Sequence, residues 1–236
     1  MTAEGSVLES RRKYQMGSDG DHKMGLIVPY RDRADHIKEF LPYMLAYLDK
    51  QSINTTVYVI EQESGRAFNR AKLLNIGVLE AETDCDYFVM HDVDMIPVDV
   101  DYSYAAAPTH LAAAASQFNY SIPFPQYFGG VTLFSREVLE AVNGYSNQYW
   151  GWGYEDTDMA FRCSSAGYSL QRRFPGRFES LSHEEVRDQN RYQNRDQFRA
   201  QQADKVFRNS DGLDTCQYSV IHRDEIEERV WLKVSL

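Results

Sequence analysis

Apolar residues recur along the first hundred positions in two alternating patterns. Residues 26–28, 55–60 and 87–90 are short apolar runs, the first ending before Pro29, and they predict three buried strands. Residues 36–48 and 69–80 carry apolar side chains at helical spacing, which predicts a helix between successive strands. Strands that alternate with helices pair in parallel through right-handed crossovers. We therefore expect an α/β protein built on a mostly parallel sheet.

The pattern is less regular after residue 100. The predicted elements there are a strand at 130–134, helices at 137–142, 156–166 and 189–207, and two pairing terminal strands at 217–221 and 230–234. No internal repeat or clear linker interrupts the chain. With 236 residues, 43% of them hydrophobic, the chain can form one substantial core. We expect a single domain at residues 24–236.

Residues 1–23 are polar and rich in charge, Gly and Ser, which predicts a disordered or loosely attached tail. This segment lacks the apolar core of a signal peptide, and no stretch of the chain reaches the roughly 18 apolar residues of a membrane span. The simplest expectation is a cytoplasmic or otherwise soluble protein with no membrane span.

Composition narrows the range of partners. The formal net charge of -10 disfavours nucleic acid and anionic lipid, although local positive groups or a metal can still hold a nucleotide. Cys85, Cys163 and Cys216 are far apart and form no CxxC pair, so we expect neither a disulfide scaffold nor a zinc site. The GxSxG, P-loop and GxGxxG motifs are missing from the sequence, so the usual local signals of hydrolases, kinases and dinucleotide enzymes are not present.

Two charged clusters follow predicted strands, where ligands bind to parallel sheets. Asp92 and Asp94 flank Val93 directly after the third strand, so both carboxylates leave the strand end on one side. Two close carboxylates favour a divalent cation; a turn with helix-capping aspartates is the alternative. Arg31 and Arg33 follow the first strand, where arginines either bind a diphosphate or form a surface charge pair.

Residues 150–158, with the sequence WGWGYEDTD, are hard to explain by packing alone. Glycines that alternate with tryptophan suit neither a strand nor a helix. Indole rings are flat apolar platforms that suit the faces of sugar rings. Glu155, Asp156 and Asp158 follow at the start of a predicted helix, whose dipole tolerates negative charge. We expect this segment to bind sugar; simple helix N-terminal charge is the alternative, above all for Asp158.

Short motifs occur in a fixed order from residue 27 to about residue 218. They are VPYRDR (28–33), FNRAK (68–72), HDVDMIP (91–97), YFGGV (127–131), NG (143–144), YWGWG (149–153) with ED (155–156), and SDGL (210–213). In this combination the chain resembles the β-1,4-galactosyltransferase family. The resemblance implies a GT-A fold, with a Rossmann-like nucleotide-sugar half at residues 24–100 and an appended acceptor-binding half at residues 101–236.

The resemblance also implies an activity and its residues. The activity is inverting transfer of galactose from UDP-galactose, with Mn²⁺, to a terminal acceptor sugar hydroxyl of N-acetylglucosamine or xylose, forming a β-1,4 linkage. The implied donor contacts are Pro29, Arg31, Arg33, Phe68, Arg70, Asp92, Val93, Asp94 and Trp152. The implied acceptor contacts are Tyr127, Gly130, Trp152, Gly153, Glu155 and Asp156, with Asp156 as general base, and the implied metal ligands are Asp94 and His183.

Some positions depart from the family pattern. Ser180 and Leu181 stand where many members carry a Met or a second His before the metal-binding histidine, so metal affinity or preference is expected to differ. Tyr154 stands where many members carry a small or basic residue, which bears on acceptor preference. The polar N-terminus differs from the membrane-anchored Golgi members. A Golgi-lumen catalytic domain trimmed of its anchor is therefore the alternative to a soluble protein.

Two other functions are compatible with the same motifs. One is a transferase that uses UDP-N-acetylgalactosamine on the same fold, which a bulky Tyr127 near the C2 position of the donor would disfavour. The other is a carbohydrate-binding protein that has kept the fold and lost catalysis. The presence of Asp94, Glu155, Asp156 and His183 argues against such a loss.

Overall fold

An eight-stranded sheet forms the centre of the computed structural model, which describes residues 22–81, 84–182, 190–203 and 211–236. The strands are, in chain order, β1 (Lys23–Tyr30), β2 (Asn54–Gln62), β3 (Tyr87–His91), β4 (Met95–Asp99), β5 (Thr109–His110), β6 (Ala114–Ala115), β7 (Val131–Ser135), β8 (Gln171–Arg172), β9 (Arg177–Ser180), β10 (Ser219–Ile226) and β11 (Arg229–Ser235). The helices are α1 (Ala34–Asp49), α2 (Arg70–Glu80), α3 (Arg136–Val142), α4 (Glu155–Ser165) and α5 (Asn190–Ala203). Strands β4, β9 and β6 form a second, three-stranded sheet.

The strand order brings the charged strand ends to one edge of the central sheet. The order is β10-β11-β2-β1-β3-β7-β5-β8, in which β11, β2, β1 and β3 run parallel. Leu26 of β1 lies opposite Val57 of β2 and Val89 of β3. β7 runs antiparallel to β3, and Val131 at its start pairs with His91 at the end of β3. The carboxyl ends of β1 and β3 therefore meet the start of β7, at the edge where such sheets bind ligands.

Apolar side chains fill both faces of the central sheet. Successive strand residues point to opposite faces, so Leu26 packs in the cluster that contains Met44 of α1, and Ile27 packs in the cluster that contains Leu74 of α2. Gly77 allows α2 to approach closely, because a Cβ atom at this position would overlap the Ile27 side chain. The sheet is thus a middle layer, with α1 on one face and α2, α3 and α4 on the other.

The structure confirms the predicted α/β class, and it corrects some boundaries. β1 does not end before Pro29, which pairs with Ile60 while the strand continues to Tyr30. The small sheet of β4, β6 and β9 was not predicted because strands of five, two and four residues are too short to show a period. The helix predicted at 189–207 is described only as α5, and its other residues lie outside the described ranges.

The predicted tail lies outside the described residues except for His22 and Lys23. These two residues are held in place: the His22 ring stacks on Tyr104 with 3.8 Å between centroids, and Lys23 begins β1. The Lys23 amide donates a hydrogen bond of 3.0 Å to Asp86. The structured part therefore includes the end of the predicted tail. No helix in the described ranges is long and apolar enough to cross a lipid bilayer.

Candidate active site

The guanidinium of Arg70 joins three parts of the fold at the ligand edge. Arg70 is the first residue of α2, which Asn69 caps by accepting the Lys72 amide. The Arg70 Nε donates to Asp92 Oδ1 at 2.6 Å, and its Nη2 donates to the Gly130 carbonyl at 3.2 Å. Its Nη1 lies 3.9 Å from Glu155 Oε1. One largely buried cation, 14% exposed, thus links the end of β3, the start of β7 and the start of α4.

Burial and charge act against each other in this cluster. Burial would lower the Arg70 pKa, but Asp92 and Glu155 outweigh burial and raise it. Burial and the neighbouring Asp156 raise the pKa of Glu155 to about 7, although Arg70 counteracts them. Burial also raises the Asp156 pKa, while Arg70 and a hydrogen bond from the Thr157 amide act in the opposite direction. The site therefore holds carboxyl groups whose protons are retained to higher pH than usual.

Asp156 lies beside the Tyr127–Gly130 segment. Its Oδ1 accepts the Thr157 amide at 2.7 Å. Its Oδ2 contacts Gly129 so closely that a Cβ atom there would overlap it, and the same Cβ would lie 3.0 Å from the Tyr127 ring. The Tyr127 ring makes an edge contact with His110 at 5.4 Å. The predicted base and the predicted specificity residue therefore line one space.

The two tryptophans of residues 150–154, the Trp-Gly segment, differ in exposure. Trp150 is partly covered by the Arg66 guanidinium, 4.3 Å from its ring centroid. Trp152 is 53% exposed, and the Arg191 guanidinium lies 4.6 Å from its centroid. The Gly151 amide donates to the Phe68 carbonyl at 2.7 Å, which ties the segment to the predicted nucleotide side. Trp152 is thus the indole that remains available as a platform.

The backbone of this segment turns sharply before α4. Gly151 and Gly153 have φ values of +75° and +98°, a region that glycine adopts at little cost. Tyr154 follows with φ of +75°, where a side chain is strained. These turns place Glu155 and Asp156 in the first turn of α4, immediately after Tyr154.

The predicted nucleotide contacts lie at the end of β1. Pro29 is buried within the strand. The Arg31 guanidinium lies 5.2 Å from the Phe68 ring centroid and donates to the Arg66 carbonyl at 2.8 Å. Arg33 precedes α1, and its carbonyl accepts the Ile37 amide. The structure thus brings Arg31 and Phe68 together.

The predicted metal ligands are described only in part. Val93 is buried, and Asp94 immediately precedes β4, where its carbonyl accepts the Leu181 amide at 2.7 Å. Residue 181 therefore lies opposite Asp94, and the aliphatic side chain of Leu181 has no atom that could bind a metal. Ser180 pairs with Met95 and points to the other face of its strand.

His183, two residues after Leu181, lies outside the described residues. Within the described ranges, no group of three His, Cys, Asp or Glu side chains can hold a metal ion. A carboxylate and an imidazole suit Mn²⁺, so the implied pair fits a divalent cation, with two protein ligands.

Asp158 has a structural role. Its Oδ2 accepts Arg162 Nε at 2.7 Å, and both side chains are 3% exposed. Tyr149 donates its hydroxyl to the other carboxylate oxygen at 3.3 Å. Arg162 also donates to the Asp211 carbonyl at 2.7 Å, so this pair anchors the SDGL motif to α4. The structure therefore favours the structural alternative for Asp158.

Three residues near the site were not predicted from the sequence. His110 donates from Nε2 to the Gly129 carbonyl at 2.9 Å and accepts Arg172 Nε at 3.1 Å. Arg172 also donates to the Tyr127 carbonyl at 2.7 Å. Asn194 of α5 donates to carbonyls of the Trp-Gly segment. Their contacts join distant parts of the chain, which sequence spacing does not reveal. For Asn194 alone a signal exists: it lies four positions before the apolar Phe198 in a predicted helix, and this spacing places both side chains on one face.

Comparison with known proteins identifies the family. A model of the N-terminal region of glycosyl transferase group 7 matches residues 6–107, and a model of the N-terminal domain of galactosyltransferase matches residues 109–184. The catalytic domain of Drosophila β-1,4-galactosyltransferase 7, solved with xylobiose, is 31% identical, with a TM-score of 0.77 over 91% of this chain and 94% of that chain. The chain belongs to the β-1,4-galactosyltransferase family. The family resemblance and the GT-A fold that the motifs implied are thus confirmed.

Two further relatives extend this comparison. A mutant of the same Drosophila enzyme, in complex with manganese, UDP-Gal and xylobiose, is 29% identical, with a TM-score of 0.76 over 91% of this chain and 94% of that chain. The β-1,4-galactosyltransferase 1 of Mus musculus is 40% identical over 206 residues, which are 85% of this chain and 51% of the relative. The chain thus spans about half the length of this curated family member.

We predict that Asp156 and Asp158 differ in their effect on stability. Asp158→Asn leaves Arg162 buried without its full counter-charge, which should lower the free energy of unfolding by about 3 kcal/mol. Asp156→Asn removes a charge that burial disfavours, so stability should be unchanged or higher. Urea unfolding of both variants at pH 7 measures this. Equal losses of stability in the two variants would contradict the assignment.

We also predict that Glu155 makes stability depend on pH. Its pKa is about 7 in the folded chain against an ordinary 4.5, so between these values the folded chain holds a proton that the unfolded chain has lost. Stability should therefore fall as pH rises through this window, by at most about 1.4 kcal/mol per pH unit. Glu155→Gln should reduce this slope in urea unfolding at pH 5, 6 and 7, and the part that remains is expected from Asp156, whose pKa is also raised. Glu63→Gln, at an exposed position, should keep it.

Proposed function

We propose that this chain is an inverting, metal-dependent galactosyltransferase. It transfers galactose from UDP-galactose to a terminal hydroxyl of an acceptor sugar and forms a β-1,4 linkage. The observation that carries the proposal is the position of Asp156. Its carboxyl group, in the first turn of α4, contacts Gly129, and the Arg70 charge acts on it. With Glu155 it forms a partly buried pair of carboxyl groups shortly after the exposed Trp152 platform. The family membership supports the same activity.

In this proposal Asp156 is the general base. A base works best when its pKa lies near the working pH, and burial raises the pKa of Asp156 toward neutrality. The acceptor sugar stacks on Trp152, and Glu155 binds one of its hydroxyl groups. Asp156 takes the proton of the attacking hydroxyl, whose oxygen bonds to the anomeric carbon from the face opposite the leaving UDP.

Departure of UDP places negative charge on its diphosphate. Arg31 and Arg33, at the end of β1, lie on the side of the site that the motifs assign to the nucleotide, and they bind this charge. One well-aimed donor to a developing charge is typically worth about 2.7–4 kcal/mol. Asp94 and His183 would hold a divalent cation, which would supply Lewis-acid neutralisation of the charge on the same diphosphate. Manganese is the ion proposed, because the Drosophila relative was solved with manganese and UDP-Gal.

The acceptor is proposed to be N-acetylglucosamine or xylose. Xylobiose in the Drosophila structures supports xylose. The chain is also similar to β-1,4-galactosyltransferases 1 and 4, so similarity alone does not decide between the two acceptors.

We also propose a reducing compartment, the cytoplasm rather than the Golgi lumen, because all three cysteines carry free thiols.

Release of UDP from UDP-galactose tests the activity. We expect Mn²⁺-dependent release that requires an acceptor, with N-acetylglucosamine and a xyloside compared side by side, and that a chelator abolishes. Asp156→Asn should lower turnover by about 10²–10⁴-fold, because general-base help is of this size. Asn at this position should not lower the free energy of unfolding. Wild-type turnover in this variant would contradict the base assignment, and binding of sugar without any release of UDP would favour a carbohydrate-binding protein.

A second experiment tests the choice of donor. The Tyr127 ring, packed against His110, Phe118 and Phe124, is proposed to limit the space near C2 of the donor sugar. Tyr127→Leu should therefore raise the rate with UDP-N-acetylgalactosamine relative to UDP-galactose. Tyr127→Phe, which keeps the ring, is the matched control. An unchanged ratio of the two rates in Tyr127→Leu would show that another residue selects the donor.

A further inference from the structure

One face of α5 contacts the whole length of the Trp-Gly segment. Arg191, Asn194 and Phe198 lie three and four positions apart, so they share this face. The Arg191 guanidinium lies over the Trp152 ring at 4.6 Å, and the Phe198 ring lies 5.8 Å from the Tyr154 ring. Asn194, between them, is 4% exposed. The helix therefore contacts the segment at its beginning, middle and end.

The Asn194 carboxamide is the polar centre of this contact. Its Nδ2 donates to the Trp150 carbonyl at 3.0 Å and to the Gly153 carbonyl at 3.1 Å. The Trp152 carbonyl lies 3.4 Å from the same nitrogen. Three carbonyl oxygens of four successive residues thus converge on one buried amide group. Without a donor there, these dipoles would repel one another and lose their hydrogen bonds in a buried place.

The segment needs an external partner to hold its shape. Gly151 and Gly153, which have positive φ angles, allow the backbone many other conformations. The strained backbone of Tyr154 makes the observed conformation less favourable than these alternatives. The conformation fixes both the direction of the Trp152 ring and the start of α4, which carries Glu155 and Asp156. A donor that binds the carbonyls on both sides of Trp152 selects that conformation.

We propose that Asn194 is a positioning residue of the acceptor site. It holds the backbone of residues 150–153 so that Trp152 faces the acceptor and Asp156 meets the attacking hydroxyl. Asn194 itself touches no reacting atom in this arrangement. As an account of acceptor binding, the proposal rests on the proposed function; as an account of backbone order, it can be tested without substrate.

The test compares two variants of α5 in the full chain. Asn194→Asp keeps the shape of the side chain but replaces the donating amide by oxygen, and Gln193→Glu makes the same chemical change at an exposed neighbouring position. Hydrogen exchange of a peptide covering residues 149–156 should be at least about tenfold faster in Asn194→Asp, since a lost buried hydrogen bond is of this size. Exchange elsewhere should match Gln193→Glu.

Steady-state kinetics form the second arm. With UDP-galactose as donor and N-acetylglucosamine or a xyloside as acceptor, Asn194→Asp should raise the KM for acceptor about tenfold or more. The KM for UDP-galactose should stay within about twofold of the wild-type value. Asn194→Ala, which removes the amide without adding charge, should show the same pattern, and it replaces Asn194→Asp if that variant does not fold.

The outcomes separate the two proposals. Exchange and acceptor KM equal to those of Gln193→Glu would overturn the role of Asn194. Faster exchange throughout the chain, with both KM values changed alike, would overturn it as well, because that is the signature of general destabilisation. A wild-type chain that transfers no sugar from UDP-galactose would contradict the proposed function, while the exchange comparison would still decide whether Asn194 orders the segment.

Discussion

The candidate site depends on one largely buried cation. Arg70 is surrounded by the carboxylates of Asp92 and Glu155 and by the Gly130 carbonyl, which come from three separate elements of the fold. Glu155 and its neighbour Asp156 are both partly buried, and two adjacent carboxylates with little solvent around them repel each other. Arg70 makes this arrangement tolerable, and it does so incompletely, because both carboxyl pKa values remain raised. That incomplete compensation is what a general base near neutral pH requires.

A second ion pair holds the frame around this site. Asp158 and Arg162 are one helical turn apart in α4, both buried, and Arg162 extends the pair to the Asp211 backbone. The same helix thus carries two kinds of acidic residue in its first turn. Asp156 is held by one backbone and one hydroxyl donor, Thr157, and faces the site. Asp158 is fully engaged in structure, which leaves it no part in proton transfer.

Periodicity and motif order predicted the layers of the fold and most of the candidate residues, but not the contacts between them. The parallel β1, β2 and β3 followed from their apolar runs, and the family motifs singled out Arg70, Asp92 and Glu155 individually. Nothing in their spacing indicated that Arg70 contacts both acids, because residues 70, 92 and 155 meet only through the pairing of β3 with β7 and the packing of α4. His110 and Arg172 escaped prediction for the same reason, since each acts through backbone carbonyls that no sequence pattern marks.

The Trp-Gly segment adopts a conformation that its local sequence propensity does not favour. By propensity, residues 150–154 have no preferred structure, and Tyr154 adopts a backbone conformation that its side chain opposes. Such a conformation persists only where surrounding contacts determine it. Here the Phe68 carbonyl accepts the Gly151 amide on one side, and the Asn194 amide donates to three carbonyls on the other. The order therefore comes from the residues just before α2 and from α5 rather than from the segment itself. The orientation of Trp152 therefore depends on residues that are distant in sequence, so substitutions in α5 can change it while Trp152, Glu155 and Asp156 stay the same.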